Sequence, residues 1–239
     1  EGLLMSVFEF KDFSVHQANS PLKVSTDAIL LGSTVKIDKS NASLLDVGTG
    51  NGVIALLLAS RYSNILIDAI DPHLGACQDA KQNFENAVFA NRLRLFCTNL
   101  ATHDPRLKYD IIVSNPPYFI DGLGSDNEST QQAKHISIST FHALLLDMKN
   151  RLVPSGTLWL VLAPESAIEA IAYLQNEGLY LRNKLRFHAN SSKLDKRWIL
   201  CFSLEKSVVE QQAFFIRNLD GSYHDDYKKL AGAYHNRAL

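Results

Sequence analysis

The sequence predicts an α/β fold, a doubly wound and mostly parallel seven-stranded sheet preceded by a short N-terminal hairpin. Three observations carry this. From residue 43 to 163, short apolar runs alternate with helix-periodic segments, the pattern of a parallel sheet covered on both faces. The first run ends in a glycine-rich turn, Asp46-Val47-Gly48-Thr49-Gly50-Asn51-Gly52, which leads directly into an apolar helix. No stretch rich in Pro, Gly or Ser divides the chain, so residues 5–239 read as one domain. Within it, 5–40 form a hairpin and helix, 41–163 a ligand-binding core, and 164–239 a C-terminal extension of the sheet.

Phe8, Phe10, Phe13 and Val15 have the spacing of two short strands turning at Lys11-Asp12. Thr26-Asp27 precedes the apolar run Ala28-Ile29-Leu30-Leu31, a capped helix start. Ser43 to Val47 reads as a buried strand, and after the glycine turn a helix runs through Ala59. Ile65 to Ile70 is a second strand, Leu74 to Ala90 a helix, Leu93 to Cys97 a third strand, and Tyr109 to Val113 a fourth. Ser139 would cap a helix reaching Leu152. Pro154-Ser155-Gly156 then turns the chain into a fifth strand, Thr157 to Leu162. A helix from Pro164 through Gln175 ends near Gly178. Three strand-like runs follow, Leu179 to Phe187, Trp198 to Ser203 and Ala213 to Arg217, which would extend the sheet in mixed orientation.

Composition excludes several classes. Apolar residues are 46% and charged residues 21% of the 239, and 24 Lys and Arg face 25 Asp and Glu for a net charge of −1. Neither a nucleic-acid-coating protein nor a charged disordered tail fits that balance. No run approaches the ~18–20 apolar residues of a membrane span. Glu1–Leu4 lacks the features of a signal peptide and reads as a remnant ahead of a start at Met5. Cys77, Cys97 and Cys201 form no CxxC pair, which argues against a disulfide framework or structural zinc and for buried thiols in a reducing cytoplasm. The eight His show no metal-ligand clustering, so no metal is expected; a monomer is the simplest assembly. Charge is uneven along the chain. Residues 1–150 carry 12 basic and 16 acidic side chains, residues 151–239 carry 12 and 9. Arg182, Lys184, Arg186, Lys193, Lys196 and Arg197 crowd one stretch against the single acid Asp195, which is either a solvated hairpin or a phosphate-facing patch.

The glycine turn lets backbone approach a ligand closely, ahead of a helix N-terminus with unpaired N–H groups. Its spacing is G-x-G-x-G rather than the dinucleotide G-x-G-x-x-G, and Asp46 precedes it. An acid there would repel a pyrophosphate and suits a cationic amine. Asp71, followed by Pro72, ends the second strand, where a carboxylate can accept both hydroxyls of a ribose. Amine and ribose together describe a nucleoside bearing an amino acid, S-adenosylmethionine. Directly after the fourth strand stands Asn115-Pro116-Pro117-Tyr118. The prolines stiffen the chain and remove donors while leaving carbonyls to accept. Asn115 adds an acceptor, and Tyr118 a face for a ring. Such a cradle fits a planar NH2 group, and two acceptors on its hydrogens would return electron density to the nitrogen lone pair. A long stretch with small polar residues, Phe119 to Ile138, reads as a lid.

Residues 43–163 resemble class I S-adenosylmethionine-dependent methyltransferases through the Asp46–Gly52 motif. The resemblance implies a Rossmann-like methyltransferase fold with Asp71 on the ribose, and it places Asn99, beside Leu100, where the family usually has an adenine-binding Asp. Members carrying the tetrapeptide methylate exocyclic amines of bases or the side-chain amide of glutamine. Lys23-Val24-Ser25-Thr26-Asp27-Ala28-Ile29-Leu30-Leu31-Gly32 resembles the N-terminal signature of bacterial tRNA adenine-N6 methyltransferases acting on adenosine 37 of a valine tRNA. So do the Phe8–Val15 hairpin, Ala133-Lys134-His135 and the 215–223 stretch. This implies a tRNA substrate, with Lys23 and Thr26 beside the methionine part of the cofactor. His135 and the 182–197 cluster are then candidate RNA contacts. The rivals are a glutamine N5-methyltransferase, which usually has an N-terminal helical domain where only about forty residues stand here, and a DNA adenine methyltransferase, which needs a target-reading domain. A non-catalytic RNA-binding module would have lost the glycine turn or the tetrapeptide, and both are intact.

Overall fold

A computed structural model describes residues 7–117, 136–192 and 195–236. The strands are β1 (Val7–Glu9), β2 (Ser14–His16), β3 (Ala42–Val47), β4 (Ile65–Ile70), β5 (Leu93–Phe96), β6 (Tyr109–Ser114), β7 (Leu152–Leu162), β8 (Tyr180–His188), β9 (Asp195–Ser203) and β10 (Glu210–Phe215). The helices are α1 (Thr26–Thr34), α2 (Val53–Arg61), α3 (Leu74–Glu85), α4 (Ile138–Asn150), α5 (Pro164–Asn176) and α6 (Asp225–Ala231). The main sheet runs β10-β8-β9-β7-β6-β3-β4-β5, with β9 antiparallel to both neighbours and every other pairing parallel.

Alternate residues of each central strand serve two cores. Leu44, Ile67, Ile111, Val113 and Val161 pack with α1, α2 and α6, while Leu45, Ile112, Leu158, Leu160 and Leu162 pack with α4 and α5. Burial on both faces is why these strands read as continuous apolar runs. The helix α2 is apolar all round, with Val53 to Ala59 buried, because α1 covers its outer side. In the separate N-terminal hairpin, Phe10 stacks on Phe13 at 4.7 Å between centroids, and Phe10 bridges to His235 near the C-terminus.

The sheet has eight strands rather than the expected seven. All three C-terminal runs join it, and β10 pairs in parallel with β8 after a connection over 204–209. It covers backbone groups that β8 would otherwise present at an edge, and Phe214 stacks on Phe187 at 5.2 Å. Other boundaries also move. Pro154-Ser155-Gly156 lies within β7 at a register irregularity against β6, with Gly156 so close to Tyr109 O that an added Cβ would sit 3.0 Å away. The caps are Ser25 for α1 and Ser137 for α4, not Thr26 and Ser139. Cys77 and Cys97, expected as separate thiols, are paired in a disulfide; Cα atoms 5.9 Å apart bring the first turn of α3 against the end of β5. Cys201 is a buried free thiol whose pKa burial pushes up to about 12.

Candidate active site

Strand order reverses between β3 and β6: the chain goes outward through β4 and β5, then returns to β6 and β7. Crevices at such reversals open at the carboxyl ends of the strands, where open α/β sheets bind ligands. Val47 is in register with Ser114, whose hydroxyl donates to Val47 O at 2.8 Å. Gly48 and Asn115, the next residues on each strand, therefore leave the sheet side by side.

The glycine turn is held by backbone bonds. The amides of Gly48 and Thr49 both donate to Ile70 O at 2.9 and 3.0 Å, and Gly52 N donates to Thr49 O at 2.9 Å. Gly48, Gly50 and Gly52 have φ of 72°, 58° and 85°, the left-handed region that glycine enters freely. A Cβ added to Gly48 or Gly50 would meet nothing within 4 Å, so these two border open space; at Gly52 it would meet Phe84 Cε1 at 2.5 Å. Gly52 thus lacks a side chain for packing, and the other two leave backbone accessible to a ligand.

Two acids stand beside this turn. Asp71 Oδ2 accepts from Gly50 N and Oδ1 from His73 N, both at 2.8 Å, which fixes the carboxylate and leaves each oxygen a further lone pair. Asp46 is fully buried. Its Oδ2 accepts from the Thr49 hydroxyl at 2.7 Å, whereas Oδ1 has no hydrogen-bond partner. Burial raises its pKa from 3.8 to about 7; the Thr49 hydroxyl and the Ala55 amide offset part of that rise, and the Asp71 charge adds to it. An orphaned carboxylate oxygen at the sheet end, open backbone at Gly48 and Gly50, and an oriented second carboxylate fit a ligand carrying an ammonium group and a ribose.

Other expected residues divide. Asn115 is half-buried, Pro116 buried and Pro117 half-buried at the end of β6. Tyr118, His135, Lys193 and nearly all of the expected lid lie outside the described residues. Pro72 sits between Asp71 and the start of α3, whose N-cap is His73. Lys23 donates to Gln17 O and Ser20 O, and Gln17 Oε1 accepts from Val24 N at 2.7 Å, so the loop before Thr26 is stapled to itself. Asn99 Oδ1 already accepts from the amide and hydroxyl of Thr102, both at 2.9 Å, making the side chain a turn cap.

Arg151, which the sequence did not single out, secures that turn. It is 5% exposed and donates to the carbonyls of Leu100, His103 and Asp104. Beneath the turn, Asp68 accepts from Arg94 and from the Tyr109 hydroxyl.

The basic cluster contracts once folded. Arg197 Nε pairs with Asp27 Oδ2 at 2.6 Å, and Arg186 lies 3.8 Å from Asp195. Asp195 also accepts from Trp198 Nε1 at 2.6 Å, and His188 Nδ1 lies 3.1 Å from its Oδ1. The Lys184 ammonium sits 3.3 Å from the centroid of the Trp198 ring, and burial lowers its pKa. Arg182 and Lys196 are exposed. Among the described residues, no three of His, Cys, Asp or Glu are grouped to hold a metal ion, and no helix is long and apolar enough to cross a membrane.

Comparison with known proteins identifies the family. Residues 20–184 match the family model "Methyltransferase small domain". A tRNA1(Val) (adenine(37)-N6)-methyltransferase from Pedobacter heparinus is 32% identical over 227 residues, covering 95% of this chain and 97% of its own. Its namesake from Parabacteroides distasonis is 40% identical over 174 residues, 72% of this chain and 73% of its own. Among solved structures, a predicted O-methyltransferase from Agrobacterium tumefaciens aligns with a TM-score of 0.67 at 17% identity, over 90% of this chain and 98% of its own, a likeness of fold. On these matches the chain belongs to the methyltransferase small domain family, in the group of the tRNA1(Val) (adenine(37)-N6)-methyltransferases.

Proposed function

We propose that this protein transfers the methyl group of S-adenosylmethionine to N6 of an adenosine in tRNA, adenosine 37 of a valine tRNA, in the cytoplasm. The observation that carries the reading is the adjacency of Asn115 to the glycine turn. Paired Val47 and Ser114 bring Asn115 beside the end of β3, near the unpartnered Asp46 oxygen, which supports reading Asn115–Tyr118 as an amine cradle. The names of relatives matching nearly the full chain supply the substrate class.

When bound, the cofactor supplies an electrophilic methyl group on a sulfonium, a leaving group that needs no acid. In this reading Asp46 takes the cofactor's ammonium group, and Asp71 its ribose hydroxyls. The backbone at Gly48 and Gly50 lies along it, with Thr49 holding Asp46. Pro72, Leu100 and Asn99 border the adenine side, and Asn99 Oδ1 accepts from the adenine amine by giving up one of its two bonds from Thr102. Asn115 and the carbonyl of Pro116 accept from the target N6 hydrogens, pulling the nitrogen toward tetrahedral geometry, and Tyr118 stacks on the base. The proton lost from N6 leaves to water after transfer. The adenine must first leave its stack, at a cost of about a few kcal/mol, and phosphate contacts would hold the RNA. Arg182, Lys193 and Lys196 are the side chains we assign to that grip.

The test is transfer of tritium from labelled S-adenosylmethionine into total tRNA, protein and DNA, followed by nuclease digestion. Label recovered as N6-methyladenosine from tRNA, lost in Asn115→Ala while cofactor binding persists, is the expected result. Label in protein alone refutes the substrate class and favours the glutamine reading.

A further inference from the structure

The helix α3 carries two buried polar side chains that the reaction does not call for. Asp79 and Asn83 are each 1% exposed and lie one turn apart. A buried carboxylate is costly unless its oxygens are satisfied, and Asp79 is satisfied by one short segment. Its oxygens accept from Asn19 N and Nδ2 and from Ser20 N and Oγ, the last two at 2.6 and 2.7 Å. Asn83 Oδ1 accepts from His16 N at 2.7 Å. Its Nδ2 donates to His16 O and to Asn51 O in the glycine turn, both at 2.8 Å. One turn before Asp79, Gly75 completes the stripe. A Cβ there would lie 2.5 Å from Asn19 O, so only glycine lets the segment come this close.

The segment so gripped, residues 16–20, continues through the loop stapled by Gln17 and Lys23 into α1. The helix α1 packs on α2 and β7, and its Asp27 is tied to Arg197 of β9. One end of the strap is therefore anchored on α3, which packs on β5, and the other on α1, which packs on β7. Between them, Asn83 ties the strap through His16 to Asn51 O of the glycine turn, which follows Asp46 at the end of β3. The strap is thus tied to the side of the site assigned to the cofactor's ammonium group.

We infer that Asp79 and Asn83 are positioning residues: through Asn19, Ser20 and His16 they hold the 16–25 strap beside the amino-acid half of the cofactor. The inference rests on the proposal that S-adenosylmethionine occupies this site. Asn83 has a second role, because one amide group joins strap and glycine turn, so that the two move together.

Two ligands separate this from a merely structural role. S-adenosylhomocysteine carries the amino-acid half, and 5′-methylthioadenosine lacks it. We expect Asp79→Ala and Asn83→Ala to bind S-adenosylhomocysteine at least tenfold more weakly than wild type, with 5′-methylthioadenosine binding changed less than twofold. The double variant Asn19→Ala/Ser20→Ala removes strap side chains only and leaves α3 whole; it decides the question if the α3 variants do not fold. It should show the same selectivity, with at least a fivefold greater loss for the homocysteine ligand. Loss of both ligands to the same extent, or of neither, in that variant overturns the inference while leaving the cofactor reading intact. A wild-type protein that binds neither ligand overturns both.

Discussion

The unpartnered oxygen of Asp46 makes cofactor affinity depend on pH. With a pKa raised to about 7, the side chain is about half ionised at pH 7 and only about 3% ionised at pH 5.5. In the proposed mode only the carboxylate form pairs with the cofactor's ammonium group, which stays protonated throughout that range. Affinity for S-adenosylhomocysteine should therefore fall about fifteenfold from pH 7 to 5.5, a loss of about 1.6 kcal/mol. The sign differs for folding without ligand. A carboxyl whose folded pKa lies above its ordinary value favours the neutral form, so its ionisation destabilises the free protein as pH rises from about 4 through 7. Ligand should thus raise the melting temperature more at pH 7.5 than at pH 5.5. Titration calorimetry at several pH values, in two buffers of different ionisation enthalpy, measures both affinity and the proton released on binding below pH 7. Asp46→Asn keeps an acceptor for Thr49 and removes the titration; it should bind weakly and with a flat profile. A wild-type affinity constant between pH 5.5 and 7, or an equal slope in Asp46→Asn, refutes the pairing of Asp46 with the amine.

Gly50→Ala places a Cβ at φ 58° and into ligand space; it should cost about 1 kcal/mol of stability, read by urea unfolding, and weaken S-adenosylhomocysteine by tenfold or more. Arg182→Ala/Lys196→Ala should weaken tRNA binding and flatten its salt dependence by about two phosphate contacts in filter binding, with cofactor affinity unchanged. Arg197→Ala breaks the pair with Asp27, and its effect should appear first in the melting temperature. The air-oxidised protein, unfolded without reductant, should react with a thiol reagent at one cysteine, and at three after reduction. Closing the loop between Cys77 and Cys97 contributes up to about 3 kcal/mol by the chain-entropy model, so reduction should lower the unfolding midpoint.

The parallel core was legible because burial on both faces writes itself as continuous apolar runs, as in Ile111 to Val113 and Leu158 to Leu162. The glycine turn was legible because positive φ at three alternate positions admits little else. Two kinds of feature were not. Contacts between residues far apart in sequence leave no local pattern: Cys77 meets Cys97 only because α3 packs on β5, and Arg151 reaches three carbonyls some fifty residues away. Caps also shift, since Ser25 and Thr26 are equally good cap residues by type, and the choice falls to the path of the preceding loop.

The basic stretch shows why a count of charges is a weak guide to a binding surface. Along the chain, six cations and one anion read as a field for phosphate. Folded, the one anion sits at the centre of the stretch, close to Arg186 and His188 and bonded to Trp198, while Asp27 reaches in from α1 to take Arg197. A phosphate at Arg197 would have to compete with a carboxylate already at 2.6 Å, while Arg186 lies 3.8 Å from Asp195. Lys184 lies on an indole face, and burial lowers its pKa from the ordinary lysine value, so its ammonium group is already engaged within the fold. What remains for RNA is a few exposed cations at the margin of β8 and β9. With a net charge of −1, and with Lys184, Arg186 and Arg197 paired or engaged within the fold, any electrostatic share in RNA binding is local and salt-sensitive.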